Sequence, residues 1–330
     1  MLKRFFLAAL LSFCGALLLA DRADETKLLK LVPADAEGVL SVDVTDWLTI
    51  PAVSRQLKSN SDVAKFRAEF GIAPEDLGAM TGWGKGDDLV LLLAWRRNVT
   101  PEQLFKAPRF TCTKVTVDGT VFYDIRKKAG SGKKKVNFWL TVLPGNVFCF
   151  VQDSAVGSRY MKVVKGGKTG FSFPPTVSGS LRGVLKKIAN RPEMPEGALL
   201  GLRVTHGPKA VLDGSVSVTM KSSEEAAQLS AQAQAATNMV LIGAMQDDQD
   251  LALDLVRCLK FSASGAVCTL KMKIPGELIE KFGEFAAKQA EQKKAAKAAR
   301  KAAKPAAKPA KPAVKPAKPA AKPASKPASK

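Results

Sequence analysis

The chain has 330 residues, with 51 Lys plus Arg, 30 Asp plus Glu, one His and five Cys. That length allows one large or two ordinary domains, and an apolar content of 46% is enough to bury a core. The lone His excludes a His-rich metal site and leaves every His-based catalytic arrangement dependent on one residue. The +21 charge sits mostly at the C-terminus, where residues 288–330 carry 14 basic groups and one acid, while residues 21–287 carry only +6.

In chain order, the first element is an export signal at residues 1–20. Lys3 and Arg4 give a positive start, Phe5 to Leu19 is an apolar run, and Ala20 before Asp21 offers a small residue at a cleavage point. Cys14 suggests lipidation, but Phe13 stands where a small residue is expected before an acylated Cys. The run is somewhat short for a membrane span, which needs about 20 apolar residues. Cleavage, or retention as an uncleaved anchor, is left open. No other stretch approaches a transmembrane helix.

Residues 21–195 read as a first α+β domain. Gly38 to Val44 alternates apolar and polar residues, the period of a half-buried strand. A helical region follows from Pro51, with Val63, Phe66 and Phe70 on one face. Pro74-Glu75-Asp76-Leu77 places Pro where a first helical turn tolerates it. Asp88 to Trp95 is a dense apolar strand. Phe110–Val117 and Val121–Arg126 flank Asp118-Gly119, a two-residue hairpin signal. Val136–Leu143 and Val147–Gln152 flank the turn Pro144-Gly145-Asn146. Helices are expected after Asp153 and after Ser180, the latter from the stripe Leu181, Val184, Leu185 and Ile188.

The proline-bearing stretch around Asn190–Pro195 is a boundary, and residues 196–287 read as a second α+β domain. Ala198–Thr205 and Val211–Met220 are strands. Ser222-Ser-Glu-Glu225 has capping-box spacing ahead of a long helical region reaching about Arg257. Leu259–Ala263 and Ala266–Lys273 form a hairpin about Ser264-Gly265. Helices mixed with antiparallel hairpins indicate α+β architecture with antiparallel sheets. That turn would set Phe261 opposite Cys268, with Cys258 three residues further along. The offset of about 10 Å is beyond disulfide reach. All four cysteines outside the signal are expected to be small buried apolar residues.

Few motifs carry chemistry. His206 lies at a strand end before a turn, with no nucleophile motif to serve it, and the cysteines lack C-x-x-C spacing. Lys165-Gly-Gly-Lys-Thr169 is superficially like a phosphate loop, but position 162 is Lys where that loop requires its first Gly. Trp95 and Trp139 sit in apolar strands and read as core, whereas Trp83, between glycines, is the better candidate for exposure. Glu224, Glu225, Asp247 and Asp248 read as helix caps or a solvated face. No catalytic, cofactor or metal residue is assigned, and a non-enzymatic protein is expected.

Two basic features remain. Arg126, Lys127, Lys128, Lys133, Lys134 and Lys135 place six positive charges in one hairpin loop without an acid. Residues 288–330 contain 16 Ala, 13 Lys and seven Pro, repeating as Ala-Lys-Pro through Lys304, Lys308, Lys311, Lys315, Lys318, Lys322, Lys326 and Lys330. Such a composition cannot bury a core and is expected to stay disordered, although the Lys- and Ala-rich stretch from Phe285 to Lys304, before Pro305, can continue a helix. Both features are candidate polyanion-binding segments.

The runs LVPADAEGVLSVDV, FGIAPEDLGAMTGWGKGDDLVLLLA, VDGTVFYDI and LDLVRCLKFSASGAVCTLKMKIPGELIEKF, behind an export signal, resemble uncharacterised exported bacterial α+β proteins. The resemblance covers most of residues 31–285. It implies tandem ferredoxin-like halves and transfers no catalytic residue. The tail resembles the Lys/Ala/Pro tails of linker histones, which hold DNA through phosphate charge, but those proteins are intracellular. With an export signal, anionic envelope polymers or lipids are the expected partners in a periplasmic or extracellular setting. Nucleic acid is the alternative if the chain is not exported. A carboxylate-based enzyme is a third reading.

Overall fold

The computed structural model describes residues 22–48, 50–59, 63–64, 67–68, 73–105, 110–127, 137–186, 195–205, 211–245 and 248–302. Residues 1–20, where an export signal is expected, therefore lie outside the described residues. Two units separate, residues Met1–Ala287 and Lys288–Lys330. The helices are α1 (Arg22–Leu29), α2 (Val44–Leu48), α3 (Pro51–Ser59), α4 (Pro101–Leu104), α5 (Ser154–Lys165), α6 (Ser223–Ala244), α7 (Gln249–Arg257) and α8 (Gly276–Ala302). The strands are β1 (Gly38–Asp43), β2 (Leu77–Lys85), β3 (Asp88–Trp95), β4 (Phe110–Val117), β5 (Thr120–Lys127), β6 (Asn137–Leu143), β7 (Val147–Val151), β8 (Leu181–Leu185), β9 (Gly197–Thr205), β10 (Val211–Thr219), β11 (Leu259–Ser264) and β12 (Val267–Pro275).

The architecture is α+β, as the hairpins and helices of the sequence indicate. Among the described residues twelve strands form one sheet, in the order β11-β12-β10-β9-β8-β1-β2-β3-β7-β6-β5-β4. Each pairing is antiparallel. The expected pair of separate ferredoxin-like sheets is thus one continuous sheet. Its C-terminal part runs β-β-α-α-β-β, whereas a ferredoxin-like half runs β-α-β-β-α-β. The residues around the expected 195/196 boundary lie partly outside the described residues. The strands flanking it, β8 and β9, pair directly, with Val184 opposite Leu199.

Two local readings need correction. The stripe Leu181, Val184 and Leu185 forms strand β8, not a helix. The strand is held on both sides, with Val184 opposite Val39 as well as Leu199. Pairing on two edges outweighs the weak local helical pattern. Pro74–Asp76 makes only a single 3₁₀ turn before strand β2, whose glycines hide its strand character. One of them, Gly78, is closely packed, where a Cβ would meet Ala94 O at 3.0 Å and displace the Asp24 carboxylate of α1.

The cover of the sheet changes sides along its length. Helix α1 lies over β1, β2 and β3, and buries Leu28 completely. Its Glu25, 2% exposed, forms a two-pronged ion pair with Arg182 of β8 at 3.1 and 2.7 Å. The Arg182 guanidinium also lies 4.8 Å from the Phe173 ring centre. Helix α5 packs beside β5, β6 and β7, starting from the Asp153 cap, whose carboxylate accepts from Val156 N at 2.9 Å. At the other end of the sheet, helices cover the opposite face. There Ile274 packs among Met245, Leu251, Leu255 and Leu278, and Leu212 packs with Ile50 and Ile279. Among the described residues no helix is long and apolar enough to cross a membrane.

Turns follow their sequence chemistry. Asp118 and Gly119 both take positive φ, 50° and 70°, as the two-residue hairpin requires. The β11–β12 turn is shifted from expectation. Ser264 pairs with Val267 and Ala263 with Cys268, so Gly265 and Ala266 form the turn. Phe261 therefore faces Leu270, not Cys268.

Candidate polyanion-binding surfaces

Along a strand alternate residues share a face, and directly paired residues on neighbouring strands share it too. Applied to β9, β10, β12 and β11, the register sorts the helix-free face into three rows. Arg203, Asp213 and Lys273 form the first. Gly201, Ser215, Lys271 and Lys260 form the second, and Leu199, Ser217, Thr269 and Ser262 the third. Arg203, Asp213, Lys260, Ser262, Lys271 and Lys273 are exposed. The alternate residues Leu212, Leu270, Met272 and Ile274 are partly buried toward the helices. The open face thus carries four cations and one acid. Lys260 and Lys271 stand directly opposite each other, and none of the three lysines pairs with an acid among the described residues. Hydroxyls lie beside them, with Ser217 Oγ and Thr269 Oγ1 3.1 Å apart.

The sequence did not reveal this surface. Its lysines are separated by a hairpin and interleaved with Leu270, Met272 and Ile274, so no run of charge marks them. The signal was the alternation Lys271-Met-Lys273, and only the register of β11 adds Lys260 to it.

Of the basic hairpin loop, Arg126 and Lys127 fall at the end of β5, while Lys128, Lys133, Lys134 and Lys135 lie outside the described residues. Arg126 is engaged within the fold. Its Nε donates to Asp124 Oδ2 at 2.8 Å, and its terminal nitrogen contacts the same oxygen. Asp124 is 6% exposed, and its carboxylate raises the guanidinium pKa above the ordinary value. Arg126 therefore neutralises a nearly buried acid. Lys304, Lys308, Lys311, Lys315, Lys318, Lys322, Lys326 and Lys330 lie outside the described residues, as does His206.

The remaining sequence candidates resolve into structural roles. Lys165-Gly-Gly-Lys-Thr169 ends a helix instead of opening one. Gly166 N donates to Lys162 O at 2.9 Å, and Gly167 takes φ 65° to leave α5. Trp83, expected at the surface, is only 6% exposed and lies 5.2 Å from the Tyr160 ring. Trp95 is in the core, as expected. Glu225 N donates to Ser222 Oγ at 3.1 Å, and the Glu225 carboxylate accepts from Lys221 N. Asp248 caps α7, whereas Asp247 lies outside the described residues.

Cys149 and Cys268 are buried, but Cys112 and Cys258 are only partly so. All four are free thiols, and burial pushes the Cys149 pKa up. Lys273 N donates to Cys258 O, which places Cys258 five positions along from Cys268's partner Ala263. That is about 16 Å at strand rise. Among the described residues no group of three or more His, Cys, Asp or Glu is arranged to hold a metal ion. A shallow pocket of about 240 Å³ beside Leu57, Val63 and Ala64 has Lys58 and Arg67 at its wall, and Arg67 is paired with Glu75.

No protein-family model and no curated protein matches the chain. A solved structure, crystal form III of TP0453, aligns with 77% of this chain and 96% of its own at 10% identity and a TM-score of 0.42. A likeness that loose carries no inference about fold or function.

Proposed function

We propose that the chain is an exported, non-enzymatic protein of the cell envelope, held to anionic polymers or lipids by its polycationic C-terminal segment. One observation carries the reading. The first compact unit ends at Ala287, and the segment beginning at Lys288 holds +13 of the chain's charge. Helix α8 (Gly276–Ala302) runs across that division, so the polycation begins within the helix and continues as the Ala-Lys-Pro repeat. Attachment then comes from counterion release along a polyanion, and needs no shaped pocket. The Ala-Lys-Pro repeat suits this role, because it concentrates Lys in a composition with almost no large apolar side chain to bury. The N-terminal signal favours envelope anions over nucleic acid.

Cell fractionation with N-terminal sequencing tests the proposal. Expected is a mature chain beginning at Asp21, in the envelope fraction and released by raised salt. A chain that retains Met1 and stays with the intracellular nucleic acid contradicts it.

A further inference from the structure

The open face of β9, β10, β12 and β11 has a composition that its own sheet does not need. Like charges directly opposite one another weaken a strand pair, yet Lys260 and Lys271 occupy such a position at the edge of the sheet. Lys273, two residues from Lys271, extends the cation column along β12. Arg203 closes the group two strands away, with Asp213 between it and Lys273. Lys on an edge strand also guards that edge, but a like-charge pair extended into a column on the inner strand β12 is the kind of local conflict found at functional sites.

We infer that this face is a second anion-binding surface, and that its ligand is a linear, base-free phosphodiester polymer. The inference rests on the envelope reading above and names the ligand class for the folded body. Three features select that chemistry. Lys271 and Lys273, at i and i+2, lie about 6.6 Å apart along the strand, a spacing that lets successive phosphates of an extended chain each meet one ammonium. Ser215 and one hydroxyl of the Ser217–Thr269 pair, the other being donated within the pair, lie beside the lysines, suited to phosphate oxygens and to the hydroxyls of a polyol backbone. No aromatic side chain occupies the three rows, so unstacked nucleobases find no platform. The exposed part of the face also offers no large apolar side chain for an acyl chain to bury. Arg203 Nη2 donates to Ser178 Oγ at 3.2 Å, which holds the fourth cation at the border of the face.

The test uses the full mature chain and a synthetic poly(glycerol phosphate), with single-stranded DNA of equal charge and anionic lipid vesicles as the other arms. Lysine acetylation read by mass spectrometry reports which positions each probe covers. Expected is protection of Lys260, Lys271 and Lys273 by poly(glycerol phosphate), with weaker protection by DNA and none by vesicles. The variant K260Q/K271Q/K273Q should bind the polymer about tenfold more weakly, with a shallower dependence on log salt. Substituting Lys304, Lys308 and Lys311 by Gln removes equal charge from the tail and should leave protection of the three sheet lysines in place.

Unprotected sheet lysines in the parent chain, or a triple variant that binds like the parent, overturn the inference while leaving the tail reading standing. Equal protection by DNA overturns the base-free assignment, and protection by vesicles overturns the polymer. If the tail substitutions leave affinity unchanged while the sheet substitutions abolish it, the tether reading fails and the sheet inference survives. Protection in the unaltered chain decides the matter even if the triple variant does not fold.

Discussion

Arg182→Met should be among the most damaging single substitutions in the fold. Arg182 meets Glu25 through two contacts at 3.1 and 2.7 Å, and the side chains are 23% and 3% exposed. Removing the guanidinium leaves the Glu25 carboxylate under α1 without its cation. Breaking a buried pair from one side costs about 3–5 kcal/mol, and the Phe173 cation–π contact is lost as well. A domain of this kind has only about 5–15 kcal/mol of stability to lose. Urea unfolding followed by Trp fluorescence is a direct assay, because Trp83 lies in β2 beneath the same region. The double variant Glu25→Leu/Arg182→Met removes both charges and should recover most of the loss, since replacing a whole buried pair by apolar groups is often neutral. A single-variant loss below about 1 kcal/mol, the scale of an exposed pair, would refute the reasoning. So would a double variant less stable than either single one.

Gly157→Ala should destabilise by about 1–3 kcal/mol, because the added Cβ would meet Phe122 Cε1 at 2.6 Å; an unchanged melting temperature contradicts that packing. Thr100→Ala should cost about 1 kcal/mol, since Thr100 and Gln103 satisfy each other's backbone donors at 3.2 and 2.9 Å, and chemical denaturation measures it. At pH 8 a thiol reagent should modify half-buried Cys112 and Cys258 before buried Cys149 and Cys268. Burial raises the Cys149 pKa, so its reactive thiolate is suppressed until unfolding. Denatured, unreduced mature chain should titrate four thiols, and a smaller number would show a disulfide that the strand register forbids.

The parts of the fold written locally were legible in the sequence. Asp118-Gly119 specifies its turn because Gly accepts positive φ without cost and Asp tolerates it. Asp153 and Ser222 begin helices because their oxygens accept from amides one turn on. What failed was set by distant chain. Leu181–Leu185 became a strand because β1 and β9 hold both its edges. Trp83 is buried because Tyr160, 77 residues later, closes over it. A one-step change of turn residues, from Ser264-Gly265 to Gly265-Ala266, moved the β11–β12 register by two. That register also sets Lys260 opposite Lys271, so the cationic sheet face was invisible until the pairing was known. Arg126 meets Asp124 for a similar reason, since strand alternation puts the two side chains on one face.

The most direct measurement of the envelope tether is salt-dependent release of the full chain, compared with a variant carrying Gln at Lys304, Lys308, Lys311, Lys315, Lys318, Lys322, Lys326 and Lys330. Expected for the parent is retention in the envelope fraction at low salt and release as salt rises, with a steep linear fall in log affinity. The substituted chain should be exported and folded but found mainly in the soluble fraction. Equal retention of both chains, or release that ignores salt, would contradict attachment through the polycationic segment.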